Sequence, residues 1–182
     1  AGNNGGDVFY LNGGEIVFNE SVMAHAFMYG VALENGSWAM TNSVFHDFHT
    51  AFRHFAQCDC VNSVFYDMTY LSNNGGQNFK NCIIADFATA LCWWTDNCIY
   101  QNCVIWNSED FGPQDSEKTG KNGNIWGNPL FVDPDNGDFR IQEGSPCVDA
   151  ADSSIAPEED YYGQPRITLR DEEDGGGLGE EA

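Results

Sequence analysis

One seven-residue motif returns along the chain and limits what it can become. Asn42-Ser-Val-Phe-His-Asp-Phe48, Asn62-Ser-Val-Phe-Tyr-Asp-Met68, Asn81-Cys-Ile-Ile-Ala-Asp-Phe87 and Asn102-Cys-Val-Ile-Trp-Asn-Ser108 align without gaps, and Glu20-Ser-Val-Met-Ala-His-Ala26 is a weaker first copy. The copies begin at 20, 42, 62, 81 and 102, so successive starts are 22, 20, 19 and 21 residues apart. Such a period marks a solenoid, in which each repeat buries its apolar face only against its neighbours. The apolar stretches within a repeat are too short for helices. An alternating stretch precedes each Asn. Ile16/Phe18, Trp38/Met40, Cys58/Cys60 and Cys98/Tyr100 fall at its inward positions, with Gln77/Phe79 the polar exception. A β-branched or aromatic pair such as Val44-Phe45 follows the Asn, and a third stretch such as His49-Thr-Ala-Phe52 completes the turn. Three short strands per turn predict an all-β chain, a right-handed parallel β-helix of about six rungs. The Leu-x-x-Leu-x-Leu pattern of leucine-rich repeats is missing.

The Asn column at 42, 62, 81 and 102 reads as a structural ladder. Asn tolerates the left-handed backbone that a sharp corner needs. Repeated every rung, about 4.8 Å apart, its amide is placed to bond the amides above and below.

Charge narrows the partners. The 182 residues carry 7 Lys+Arg against 28 Asp+Glu, a formal charge of −21. That surface repels nucleic acid and anionic membranes and attracts cations or basic partners. No run of about 20 apolar residues could span a bilayer. The seven cysteines include no CxxC, CxxCH or zinc-type spacing, which argues against haem attachment and zinc ribbons. Cys82 and Cys103 follow the corner Asn on neighbouring rungs, within disulfide range, and are read as small core fillers.

The segment from Gly123 to Asp152 contains Asn128-Pro-Leu-Phe-Val-Asp-Pro-Asp-Asn-Gly-Asp-Phe-Arg140 and Gly144-Ser-Pro-Cys-Val-Asp149, followed by Asp160-Tyr-Tyr-Gly-Gln-Pro-Arg166. It resembles the closing segment of secreted right-handed parallel β-helix proteins of the pectate-lyase-like superfamily, and the choice-of-anchor group within it. The resemblance implies the fold and an extracellular or cell-surface setting. It implies no single activity, because this fold hosts lyases, hydrolases, adhesins and fibre proteins. The division expected is a solenoid with closing segment over 1–152 and an extension with an acidic, Gly-rich tail over 153–182.

Several constellations are candidates for chemistry. A column five residues after each corner holds His25, Asp47, Asp67, Asp86 and Asn107. Stacked carboxylates could bind Ca²⁺ or act on a glycosidic bond, and Asp also suits a second corner. Asp133, Asp135 and Asp138 alternate around a Gly turn like half of a Ca²⁺ loop, yet residue 144 is Gly where an EF-hand needs Glu. His46, His49 and His54 would share a face on a helix but scatter on a coil of strands. Tyr66, Trp93, Trp94 and Trp106 fall outside the inward positions and suit core, interface or sugar stacking. Asn19-Glu-Ser21 and Asn35-Gly-Ser37 are N-glycosylation sequons.

No complete catalytic set emerges, so the sequence favours a non-enzyme. Asp7-Val-Phe-Tyr-Leu11 reads as strand with little before it, so the N-terminal end is expected to need cover from another subunit or an upstream domain. Arg166-Ile-Thr-Leu-Arg170 alternates like a strand before the acidic tail and could augment a neighbour's sheet. The first expectation is a secreted structural protein, a filament or surface-layer-like subunit stacking through its ends and tail as a homo-oligomer or homopolymer. The alternative is a carbohydrate-active β-helix, either a polysaccharide lyase or glycosidase, or a non-catalytic glycan-binding module.

Overall fold

The computed structural model describes residues 7–34, 36–53, 57–72, 76–88, 98–108 and 122–166. The strands, in chain order, are β1 (Asp7–Leu11), β2 (Glu15–Asn19), β3 (Val22–Leu33), β4 (Ser37–Thr41), β5 (Val44–Arg53), β6 (Gln57–Val61), β7 (Val64–Ser72), β8 (Gln77–Lys80), β9 (Ile83–Phe87), β10 (Ile99–Gln101), β11 (Val104–Ser108), β12 (Ile125–Trp126), β13 (Phe131–Asp133) and β14 (Asp138–Ile141). One parallel sheet stacks β2, β4, β6, β8 and β10, and the other stacks β1, β3, β5, β7, β9, β11 and β12. The chain is an all-β parallel solenoid of about four turns, where six were expected. Among the described residues the smaller sheet has no strand level with β1 or β12, and after β12 the chain leaves the coil. Among the described residues no helix is long and apolar enough to cross a membrane.

The alternation read from sequence builds the core. Trp38 aligns with Ile16 on one side and Cys58 on the other, and Met40 with Phe18 and Cys60. Met40, Cys60, Phe79, Phe45, Phe65, Ile84 and Ile105 are fully buried, and so is Gln77, the polar exception. Phe45, Phe52, Phe65 and Phe79 pack edge-on or tilted at centroid distances of 5.4–6.5 Å. Cys58, Cys60, Cys82 and Cys103 are free buried thiols. Burial pushes the Cys58, Cys60 and Cys82 thiols up, which suits inert core fillers. Cys98 is disulfide-bonded.

Two left-handed corners per turn shape the coil. Glu20, Asn42, Asn62, Asn81, Asn102 and Asn122 have φ between 48° and 53°. The parallel ladder runs on through this corner. The amides of Asn42, Asn62 and Asn81 donate to Val61, Lys80 and Gln101 carbonyls one rung on, at 3.0–3.2 Å. The next position closes the turn. Ser43 and Ser63 donate their hydroxyls to the carbonyls of Thr41 and Val61, and Cys82 and Cys103 direct their thiols in the same way to Lys80 and Gln101. The second corner lies inside the long strands, at His25, Asp47 and Asp67, and recurs at Asp86 and Asn107, with φ of 49–60°. The third stretch of each repeat is the part of β3, β5 and β7 beyond that bend.

The Asn side chains do not stack as expected. Asn42 donates its amide to the Glu159 carbonyl and accepts from Arg166, both at 3.0 Å. Asn81 donates to the Asp152 carbonyl and accepts from its N–H, at 3.0 and 2.9 Å. Asn62 has both amide atoms buried without a partner, beside a cavity of about 420 Å³ under the C-terminal segment. The reason is that this segment does not close the end of the coil. It runs back along the flank, because outward residues Val44, Val64 and Ile83 leave an apolar strip there. Phe131 and Phe139 of the β13–β14 hairpin bury that strip together with Tyr66 and Tyr161. Residues 153–166 continue this strap over the Asn corners, and 167–182 lie outside the described residues, as does the proposed augmenting strand after Arg166.

These contacts rank the corner substitutions. Asn62→Ala loses only the left-handed tolerance of Asn, roughly 1–2 kcal/mol, whereas Asn81→Ala also loses its two bonds to the strap, about 1 kcal/mol more. Asn62→Gly should be neutral or stabilising. Urea unfolding of the three variants checks this, and equal costs at 62 and 81 would remove the lacing role of the strap.

Candidate functional site

The second corner projects a column of polar side chains beside the strap. Parallel pairing sets His46 next to Ala24 and Tyr66, and Tyr66 next to Ala85, so equivalent residues stack one rung apart. His25 and His46 both turn Nδ1 to one oxygen of Asp47, at 2.8 and 3.1 Å. His25 is three-quarters exposed, while His46 is almost wholly buried, its ring 5.2 Å from that of Phe139. The Asp67 carboxyl keeps open surface, yet its pKa is raised. Partial desolvation comes first, then a hydrogen bond with Asp47 and the charges of Asp47, Asp86 and Asp135. Asp86 accepts a short hydrogen bond from the Asn107 amide. Burial pushes the Tyr66 phenol up to about 12, reinforced by the charges of Asp86 and Asp135 and a hydrogen bond to Asp86.

Below this column Tyr66, Asp86, Trp106, Phe131, Pro134 and Gln142 line a cavity of about 350 Å³ between the solenoid and the strap. Tyr66 packs edge-on against Phe131 and Phe139 at 5.8 and 5.5 Å, and Trp106 leans on Trp126 at 5.6 Å. Among the described residues, no Lys or Arg lines it. Three aromatic rings and a few polar groups in a cleft of this size suit a small polar ligand.

Other candidates disperse. Asp133 accepts from the Asn136 amide at 2.9 and 3.0 Å. Asp138 pairs with Arg140, which holds its carboxyl down at about 2. Asp135 instead belongs with the Asp67–Tyr66 group. The three therefore do not converge as a Ca²⁺ loop would require. His49 is exposed, turned to Thr50, and His54 lies outside the described residues, as do Trp93, Trp94 and Asn35. Asn19 ends β2 and is exposed. The pairing of His25 with His46 and Asp47 was missed by grouping histidines along the chain rather than across rungs. Its signal was present, since His25 heads the Asp column and His46 precedes Asp47.

Titration should report the crowding at Asp67. Its native pKa is raised, so between about 3.9 and that value the native state holds more protons than the unfolded one. Native stability therefore falls as pH rises through that window. Asp67→Asn keeps the corner and removes the penalty. It should melt higher than the wild type at pH 7, with the gap closing below about pH 3.9. A gap independent of pH would show that Asp67 does not carry this load.

Compared with protein-family models and with curated proteins, the sequence matches none.

Proposed function

We propose that the flank cleft binds a neutral glycan. The observation that carries this reading is the convergence of Tyr66 and Trp106 with Asp86 and Gln142 on one cavity of about 350 Å³. Aromatic rings stack on the apolar faces of sugar rings, and carboxylate and amide groups bond their hydroxyls. The net charge of −21, and the absence of Lys and Arg among the described lining residues, select against uronates and sulfated chains. The carboxylates of the column are engaged with His25, His46, Asn107, Tyr66 and each other, which suits recognition more than turnover. The secreted, pectate-lyase-like setting implied by the C-terminal motifs belongs to the same reading. So does Ca²⁺ at the carboxylate column of Asp47, Asp67 and Asp86.

Calorimetry against neutral oligosaccharides, with and without millimolar CaCl₂, tests this. Trp106→Ala should weaken binding by up to about tenfold, the worth of an aromatic contact of about 0.5–1.5 kcal/mol. Unchanged affinity, or no binding to any neutral glycan, would exclude the cleft.

A second reading rests on a different observation. At the first described rungs Phe9, Tyr10, Val17 and Val22 are between 42% and 64% exposed, and among the described residues β1 and β2 each pair on one side only. Open edges and apolar surface favour head-to-tail stacking of copies into a secreted filament. Electron microscopy of purified protein should then show fibres that Val17→Lys disperses. Monomers at every concentration and salt would end this reading without touching the first.

A further inference from the structure

We infer that His25, His46 and Asp47 form a mononuclear site for a divalent transition metal, with Zn²⁺ the best fit. Among the described residues this is the one group whose three ligand atoms all lie within 4.8 Å of one another. Two imidazole nitrogens and a carboxylate oxygen are a ligand set that suits Zn²⁺ and its neighbours, and not Ca²⁺, which takes oxygens alone. Both Nδ1 atoms approach the same Asp47 oxygen, at 2.8 and 3.1 Å. Zinc bonds to nitrogen and carboxylate oxygen are about 2.0–2.2 Å, so the metal needs only a small outward turn of the carboxylate and of the exposed His25 ring.

The surroundings hold the ligands in place. His25 and Asp47 sit at successive second corners, both at φ 60°. The rings of His25 and His46 meet edge to face at 5.3 Å, and Phe139 of the strap backs His46 on its other side. Asp67 lies beside Asp47 on the next rung. Such outer contacts orient metal ligands and tune affinity. His46 is buried and His25 is three-quarters exposed, so the remaining coordination position faces solvent. Three protein ligands with an open position characterise a site that exchanges water or a ligand, where structural zinc is closed by four. This inference is independent of glycan binding.

The test is metal titration of the intact chain with ZnCl₂ and CoCl₂, read by calorimetry, by melting temperature and by the visible absorption of bound Co²⁺. The variants are His25→Asn and Asp47→Asn, since Asn occupies the same corner at position 107, with His49→Ala as control. The wild type and His49→Ala should bind one metal per chain, show the Co²⁺ band and melt higher as ZnCl₂ rises. His25→Asn and Asp47→Asn should fold, lose the band and bind at least about tenfold more weakly. Absence of a Co²⁺ band in the wild type overturns the site, as does a Zn²⁺-dependent rise in melting temperature that survives unchanged in both variants.

Discussion

Everything in this molecule depends on the chain turning a sharp corner without breaking its parallel hydrogen-bond ladder. A parallel strand needs its partner on the next turn, and a corner would ordinarily strand backbone groups between the two. Residues with φ near 50° solve this, because their own N–H still meets a carbonyl one rung away. The cost of that conformation for most side chains explains why Asn and Asp recur there and why the two columns are so regular. Once both corners are fixed, inward and outward positions follow for every strand.

Much of the fold was legible because those constraints are local. The period, the corner residues and inward pairs such as Trp38/Met40 and Cys58/Cys60 are written within single repeats. The number of complete turns was not, since the chain leaves the coil directly after Ile125–Trp126. Nor was the course of the strap. Nothing near Asn42 or Asn81 announces that their amides will meet Glu159 and Asp152. Those contacts depend on residues 117 and 71 positions away. The apolar outward positions Val44, Val64 and Ile83 were the available hint that a flank would be covered.

The candidate site divides in the same way. The Asp47, Asp67 and Asp86 column could be read from spacing, and its left-handed backbone fits the turn role weighed for it. What that column faces could not be read. Tyr66 acquires its surroundings from Phe131, Phe139 and Asp135, all on the strap, and His46 acquires a burying wall from Phe139. Asp133 and Asp138 look alike in sequence and part company only because Asn136 and Arg140 are within reach of them. Side chains that share a column inherit a common backbone, and their chemistry is set by whatever lies over them.

The strap also changes how the chain must assemble and come apart. Neighbouring rungs join residues about twenty positions apart, so a coil alone could nucleate anywhere and fray one turn at a time. The bonds from Asn42 to Glu159 and Arg166 close loops of 117 and 124 residues. Loops of that length are slow to close, and they can close only on rungs already in register. Docking of the strap thereby depends on rungs formed before it. By spanning several turns at once, it converts a quasi-one-dimensional stack into a single cooperative body.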